Sequence, residues 1–307
     1  MSSEAAFIDL LRAMAQDPAA RGLADDCAVL EIGGARLVLT SDTLVEGVHY
    51  LADDPPDSIG WKLAAVNLSD LASKGARPVA CLMNYALSGD AGWDAAFVAG
   101  LGQALDRYGM PLVGGDTVAM PAGAPRSYTL TAIGEAGSGA VPSRSGARVG
   151  DLLCITGAVG DAGHALMHML GGRDVSDMLR DAYRRPVPRM AEGQALAPIA
   201  HAMMDVSDGL LIDAKRIADA SGVGVAIEHV PLSAAIVELH GRTDETRLRA
   251  ATMGDDYELL VAIAPDAVIP GALIPIGRFV GAPGMTLTLD GRPVPLPDRL
   301  GYEHLSR

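Results

Sequence analysis

LVLTSDTLVEGVHY, residues 37–50, begins as a strand and ends in chemistry. Leu37, Val38 and Leu39 are a short apolar run of the kind that forms a buried strand. Thr40, Ser41, Asp42 and Thr43 then place hydroxyls and a carboxylate where that strand is expected to leave the core. A carboxylate at such a point presents oxygen to a hard cation, and it is equally ordinary turn chemistry. Taken alone, the stretch leaves both readings open. The same grammar recurs, however, in LADDC (Asp25, Asp26), LVGGD (Asp116) and MMDVSDG (Asp205, Asp208).

Upstream, MSSEAAFIDLLRAMAQ (1–16) reads as an amphipathic helix with Phe7, Leu10, Leu11 and Met14 on one face. It lacks the basic start and apolar core of a signal peptide. CAVLEI (27–32), Gly33-Gly34 and the strand beginning at Leu37 make a hairpin. Downstream, DDPPD (53–57) breaks the chain, and Ser58 is the expected N-cap of a helix over 59–73. On that helix Trp61, Ala64, Leu68, Leu71 and Ala72 form an apolar arc. Asn67, Asp70 and Lys74 share another face with Leu63, which lets Asp70 pair with Lys74 at i+4.

The rest of the first half reads as a strand over 78–87, a helix over 92–108, a strand over 110–113 ending before Gly114-Gly115-Asp116-Thr117, and a strand over 127–136. Residues 137–150 (GSGAVPSRSGARVG) are the linker-like segment. Beyond it, strands are expected over 151–156, 202–206, 224–228 and 257–263, with helices over 160–170, 191–200, 210–220 and 246–251. Asp290-Gly291 is a two-residue hairpin turn. The order of elements predicts an α+β fold of mixed α/β layers with helices on one sheet face. Two domains are expected, residues 1–145 and 146–307, with no repeat of fixed period.

Composition narrows the function. The 307 residues carry 38 acidic and 24 basic side chains, a net charge of −14, the opposite of a nucleic-acid footprint. No run reaches the roughly 18 apolar residues of a membrane span. Three widely spaced cysteines without a C-x-x-C pair suit buried thiols in a reducing compartment. A soluble, cytoplasmic protein is expected. Five or six carboxylates gathered at strand ends repel unless cations sit among them, and an oxygen-only set suits Mg²⁺ shared with phosphates. Gly114-Gly115 frees backbone N–H groups for an anion, and Arg144 in SRSGA offers a forked donor for phosphate. No Walker, dinucleotide, protein-kinase or nucleophile-elbow motif is present.

The runs DDCAVL, LTSDTLVEGVHY, GWKLAAVNLSDLASKGARP, YGMPLVGGDT, SRSGARVGDLL, RRPVPR, DVSDGLLID and GDDYELL, in that order, closely resemble the thiamine-monophosphate kinase family. AVNLSDLASKGARP and DVSDGL are shared more loosely with the wider superfamily of aminoimidazole-ribonucleotide synthetase-like ATP enzymes. The resemblance spans about 23–302. It implies a homodimer joined through its N-terminal domains, with each active site in the cleft between the two domains. It implies ATP- and Mg²⁺-dependent transfer of the γ-phosphoryl group to thiamine monophosphate, giving thiamine diphosphate. Carried over by position, Asp26, Thr40, Ser41, Asp42, Asp70, Asp116, Asp205 and Asp208 match metal-binding residues. Gly115, Asp116, Arg144 and Ser207 match ATP-binding residues, and His49, Asp255 and Tyr302 match residues around thiamine monophosphate. No covalent nucleophile is implied; Asp42, Asp70, Asp116 and Asp208 support transfer through metal. The chain departs from the usual pattern at Ala24, Met253 and residues 118–126. The alternatives are another superfamily ATP enzyme with a different acceptor, and a non-catalytic nucleotide- or cation-binding dimer.

Overall fold

A computed structural model describes residues 3–121 and 123–303. Helix α1 (Ser3–Arg12) precedes the hairpin β1 (Ala28–Ile32) and β2 (Ala35–Val45), whose turn uses Gly33 and Gly34 at φ 59° and 85°. Then come α2 (Pro56–Ser73), β3 (Ala76–Leu87), α3 (Ala91–Tyr108), β4 (Leu112–Ala119) and β5 (Ser127–Ala136). Their sheet has the order β1-β2-β5-β3-β4. Helix α2 packs on β2, β5 and β3, and α3 packs on α2, so the helices cover one face as expected.

The second half contains β6 (Leu152–Ile155), α4 (Asp161–Leu170), α5 (Asp177–Arg184), α6 (Met190–Leu196), β7 (Ala200–Asp205), α7 (Leu210–Ser221) and β8 (Gly224–Ile227). It ends with α8 (Ala234–His240), α9 (Asp244–Thr252), β9 (Leu259–Ile263), β10 (Ile274–Val280), β11 (Gly284–Leu289) and β12 (Arg292–Val294). These seven strands form a second sheet, β12-β11-β8-β10-β6-β9-β7. The fold is α+β, with mixed α/β layers in two domains.

Four expectations change. Strand β2 does not stop at Leu39; it runs to Val45, because β5 pairs with it from Leu37↔Glu135 to Val45↔Ser127. Thr40 to Thr43 therefore lie within the strand and alternate between its faces. Strand β4 likewise carries Gly114-Gly115-Asp116-Thr117 inside it, parallel to β3. Ser58 is not the N-cap of α2. The helix starts at Pro56, and the Ser58 hydroxyl donates to Pro55 O at 2.7 Å; proline fits the first helical turn, where its missing N–H is no loss. The expected apolar face is not buried: Phe7, Leu10 and Leu11 of α1, and Met14 just beyond it, are all exposed.

Helix α2 is buried at 15 of its positions, so it has no solvent face. Its apolar arc fills the core, with Ala64, Leu68, Leu71 and Ala72 at 0% exposure. Gly60 and Gly100 let α2 and α3 approach: a Cβ at Gly60 would lie 2.1 Å from Phe97 O. Burial all round is what sets its polar residues, Lys62, Asn67, Ser69 and Asp70, and Lys74 at its C-terminal end, against other elements.

Candidate active site

Carboxylates from three separate elements converge on α2. Ligand oxygens of Asp26, Asp70 and Asp205 all lie within 4.8 Å of one another. Asp26 arrives from the loop before β1, Asp70 from α2 and Asp205 from the end of β7. Short polar bonds hold each in place. The Thr40 hydroxyl donates to Asp70 Oδ2, and the Ser69 hydroxyl donates to Asp205 Oδ2 at 2.6 Å. Asn67 Oδ1 accepts from the Asp42 N–H at 3.1 Å while its amide donates to Leu63 O, which seats β2 on the helix.

The charges are unevenly matched. Lys74 does not pair with Asp70 at i+4; its ammonium reaches Asp25 Oδ1 and Asp26 Oδ2, each at 2.6 Å. Arg144 donates through Nε to Asp26 Oδ1 at 2.8 Å. Burial pushes the Asp26 carboxyl up, but Lys74 and Arg144 outweigh it and hold the group at about 2. The other acids have no such help. Burial, with Asp26 and Asp208 nearby, pushes Asp42 up to about 6. Burial and then Asp26 bring Asp205 to about 7. Burial followed by Asp42, Asp205 and Asp26 carries Asp70 well above the carboxylate range. The cluster has more negative charge than its own cations neutralise.

The second domain adds the Ser207-Asp208-Gly209 loop. Gly209 sits at φ 130°, where a side chain is disfavoured. Asp208 Oδ2 accepts from Arg216 at 2.5 Å. The loop is organised by Asp213, a residue the sequence reading passed over. Its Oδ2 accepts the N–H groups of Ser207, Asp208 and Gly209 at 3.2, 3.1 and 3.2 Å, and Oδ1 accepts from Arg216 at 2.7 Å. The available signal was an acid in the first turn of α7, facing back over the helix N-terminus.

Asp255 and Tyr302 are held against the Ser207-Asp208 loop, and His49 against Lys62 of α2. His49 Nδ1 accepts from the Val45 N–H at 3.0 Å, so the neutral ring carries its proton on Nε2. Asp255 accepts from Lys62 at 2.7 Å and from the Tyr257 hydroxyl at 2.9 Å. The Tyr302 N–H donates to Asp208 O at 2.9 Å, docking the tail beside the loop. Met253, a departure from the usual pattern, packs where a Cβ on Gly163 would lie only 2.3 Å from its own Cβ.

Three expected positions stand apart. The Ser41 hydroxyl points to the outer sheet face and pairs with Thr131 at 2.9 Å. The register runs Asp42↔Leu130, Leu130↔Met83 and Met83↔Gly115. Gly115 and its neighbour Asp116 are thus three strands from Asp42, roughly 14 Å at the usual strand spacing. Within the single chain Asp116 does not join the cluster. The loop 119–126 includes residue 122, which lies outside the described residues.

Residues 24–136 match the family described as AIR synthase related protein, N-terminal domain, and residues 148–272 match its C-terminal domain. The thiamine-monophosphate kinase of Caulobacter vibrioides is 37% identical over 316 residues, covering 96% of this chain and 88% of the relative. The chain belongs to the thiamine-monophosphate kinase family. Members of this family are phosphotransferases. The family's enzyme from Salmonella typhimurium is 36% identical, covering 93% of this chain and 92% of the relative. Among solved structures, AaThiL complexed with AMPPCP and TMP aligns with a TM-score of 0.86 at 29% identity, covering 97% of this chain and 96% of that one.

Proposed function

We propose that this chain phosphorylates thiamine monophosphate to thiamine diphosphate, using ATP and Mg²⁺, by direct in-line transfer of the γ-phosphoryl group. The observation that carries the reading is the buried convergence of Asp26, Asp70 and Asp205 within 4.8 Å, with Asp42 held beside them. Family membership supports it, as does the solved relative with AMPPCP and TMP.

The donor set fits Mg²⁺. It is all oxygen, its charge is not neutralised from within, and among the described residues no thiolate or imidazole joins the group. In this proposal Asp26, Thr40, Asp42, Asp70, Asp205 and Asp208 hold the metal ions. Their side chains leave Ser41 only its main-chain oxygen to offer. Bound Mg²⁺ supplies the positive charge that lets two phosphate groups come into line. The acceptor phosphate, with a second pKa near 6, is already mostly dianionic and needs no strong base. The chain therefore acts by positioning, and no side chain serves as a covalent nucleophile. Arg144 and Ser207 hold ATP, while His49, Asp255 and Tyr302 surround the acceptor; Tyr302 supplies an aromatic face for the thiamine rings.

Gly115 and Asp116 enter through a second copy of the chain. Strand β4 is a sheet edge whose every residue is exposed, including Leu112, Val113 and Val118, and such an edge is a ready pairing surface. A homodimer joined at the N-terminal domains brings Asp116 of one copy toward the cluster of the other. The domains divide at residue 145, the site lies in the cleft between them, and the enzyme works in the cytoplasm. Among the described residues no helix is long and apolar enough to cross a membrane.

The test is direct. Purified protein with ATP, Mg²⁺ and thiamine monophosphate is expected to yield thiamine diphosphate and ADP. Folded protein that forms neither with excess Mg²⁺ overturns the proposal.

A further inference from the structure

Helix α2 also buries a lysine at the acceptor end of the site. Lys62 is 2% exposed. Its ammonium donates to Asp255 Oδ2 at 2.7 Å and to the main-chain oxygen of His49 at 3.0 Å, and lies 4.1 Å from the centroid of the Tyr183 ring. A buried ammonium is costly unless its donors are satisfied. Here two oxygens and an aromatic face satisfy it.

Each partner comes from a different part of the chain: the turn after β2, helix α5, and the loop between α9 and β9. That last loop is unusual. Asp255 and Tyr257 have φ of 67° and 53°, a region side-chain-bearing residues seldom occupy. Main-chain bonds from Asp255 N to Ser207 O at 2.9 Å and from Tyr257 N to Val206 O at 2.8 Å hold it. The side-chain bonds complete the anchoring, with Lys62 on Oδ2 and the Tyr257 hydroxyl on Oδ1. A carboxylate has about four acceptor sites, so both oxygens still have room for a donor from a ligand. On the opposite side the Val45 N–H orients the His49 ring while Lys62 holds the carbonyl of the same residue.

We propose that Lys62 is a positioning residue of the acceptor site, tying the His49 turn to the Asp255 carboxylate so that both face thiamine monophosphate at a fixed spacing. The inference rests on the function proposed above and adds to it a residue that touches neither phosphate donor nor metal ligands. Lys62 acts through Asp255 and His49. Its loss therefore weakens acceptor binding selectively and becomes nearly silent once Asp255 has lost its charge.

The experiment uses the full chain and measures KM separately for thiamine monophosphate and for ATP. Four variants are compared with the parent: Lys62→Met, Lys62→Arg, Asp255→Asn and the Lys62→Met/Asp255→Asn pair. Lys62→Met is expected to raise the acceptor KM about tenfold or more while the ATP KM stays within about twofold. Lys62→Arg should recover part of the loss, and the pair should be no worse than Lys62→Met alone. Should Lys62→Met fail to fold because Asp255 loses its cation, Lys62→Arg and the doubly neutral pair decide the question. An unchanged acceptor KM in a folded variant, equal rises in both KM values, or strictly additive losses overturn the proposal. A parent protein that consumes no thiamine monophosphate overturns the functional reading itself, whereas an active parent with an indifferent Lys62 overturns only this inference.

Discussion

The Ser69 hydroxyl donates to Asp205 Oδ2 at 2.6 Å, and this one bond fastens helix α2 of the first domain to the end of β7 in the second. Both groups are buried, Ser69 at 0% and Asp205 at 3% exposure. The same helix holds β2 through Asn67 and the Asp255 loop through Lys62. Helix α2 is thus the shared wall of the site, and the two domains meet on its polar residues. The carboxylates it gathers are poised against one another, which makes the metal-free protein sensitive to pH.

Asp42 near 6, Asp205 near 7 and Asp70 well above the usual range all hold protons in the folded state that the unfolded chain has released. Between about pH 4 and 7 the folded state therefore binds more protons than the unfolded one, and stability falls as pH rises. Asp26, held near 2, contributes the opposite slope only below about pH 4. Urea melts in EDTA should show stability declining from pH 5 to pH 7. Mg²⁺ should stabilise more at pH 7 than at pH 5, since it competes with protons for the same oxygens. A flat profile in EDTA, or equal Mg²⁺ effects at the two pH values, contradicts the assignment of these acids to one site.

Asp42→Asn separates function from folding. It removes a carboxylate that burial and two like charges disfavour, so metal-free protein should lose no stability and should melt at the same temperature or higher. Turnover should fall by about 10² or more, because a ligand charge is missing where phosphate charge must be offset. Calorimetry in EDTA and a coupled ADP assay test the two halves. Near-parental turnover would move Asp42 out of the metal set.

The motifs around these residues were legible because each joins an apolar run to an acid at short range. Strand 127–136, helix α7 and the Asp290-Gly291 hairpin follow from the same local signals. What was not legible depends on distant partners. Strand β2 continues through Thr40 to Thr43 only because β5 lies alongside, and one face of that polar run then drops Ser41 onto the outer surface. Strand β10 has no clear local signal, because Pro275 and Gly277 interrupt it; they sit at a bulge, where a Cβ at Gly277 would meet Ala226 O at 2.1 Å. Helices α5 and α8 span only eight and seven residues, too few for a helical period to stand out. The i+4 spacing allows Lys74 to pair with Asp70, but its partners lie 48 and 49 residues away.

Asp213 offers a test of the loop rather than of the metals. One carboxylate oxygen accepts three consecutive main-chain N–H groups, and removing it leaves three donors in a closed loop. Asp213→Ala should cost about 2–4 kcal/mol in urea unfolding and raise the KM for ATP more than that for thiamine monophosphate, since the proposed function assigns Ser207 to the nucleotide. Asp213→Asn keeps an acceptor oxygen and should recover much of the stability. An alanine variant with parental stability shows that the loop holds itself.

The exposed edge of β4 leads to the last expectation. Val113 is 62% exposed near the start of β4, which has no strand partner on its outer side among the described residues, and Asp116 lies three residues further along the same strand. If that edge pairs with a second copy, Val113→Lys places charge at the junction and should convert the dimer to monomers in sedimentation velocity runs. Activity should drop at least tenfold with the fold intact by circular dichroism, because each site then lacks the Asp116 supplied by its neighbour. Raising protein concentration should restore both dimer and activity together. A parent protein that sediments as an active monomer removes the second copy from the mechanism and requires Asp116 to act outside the site.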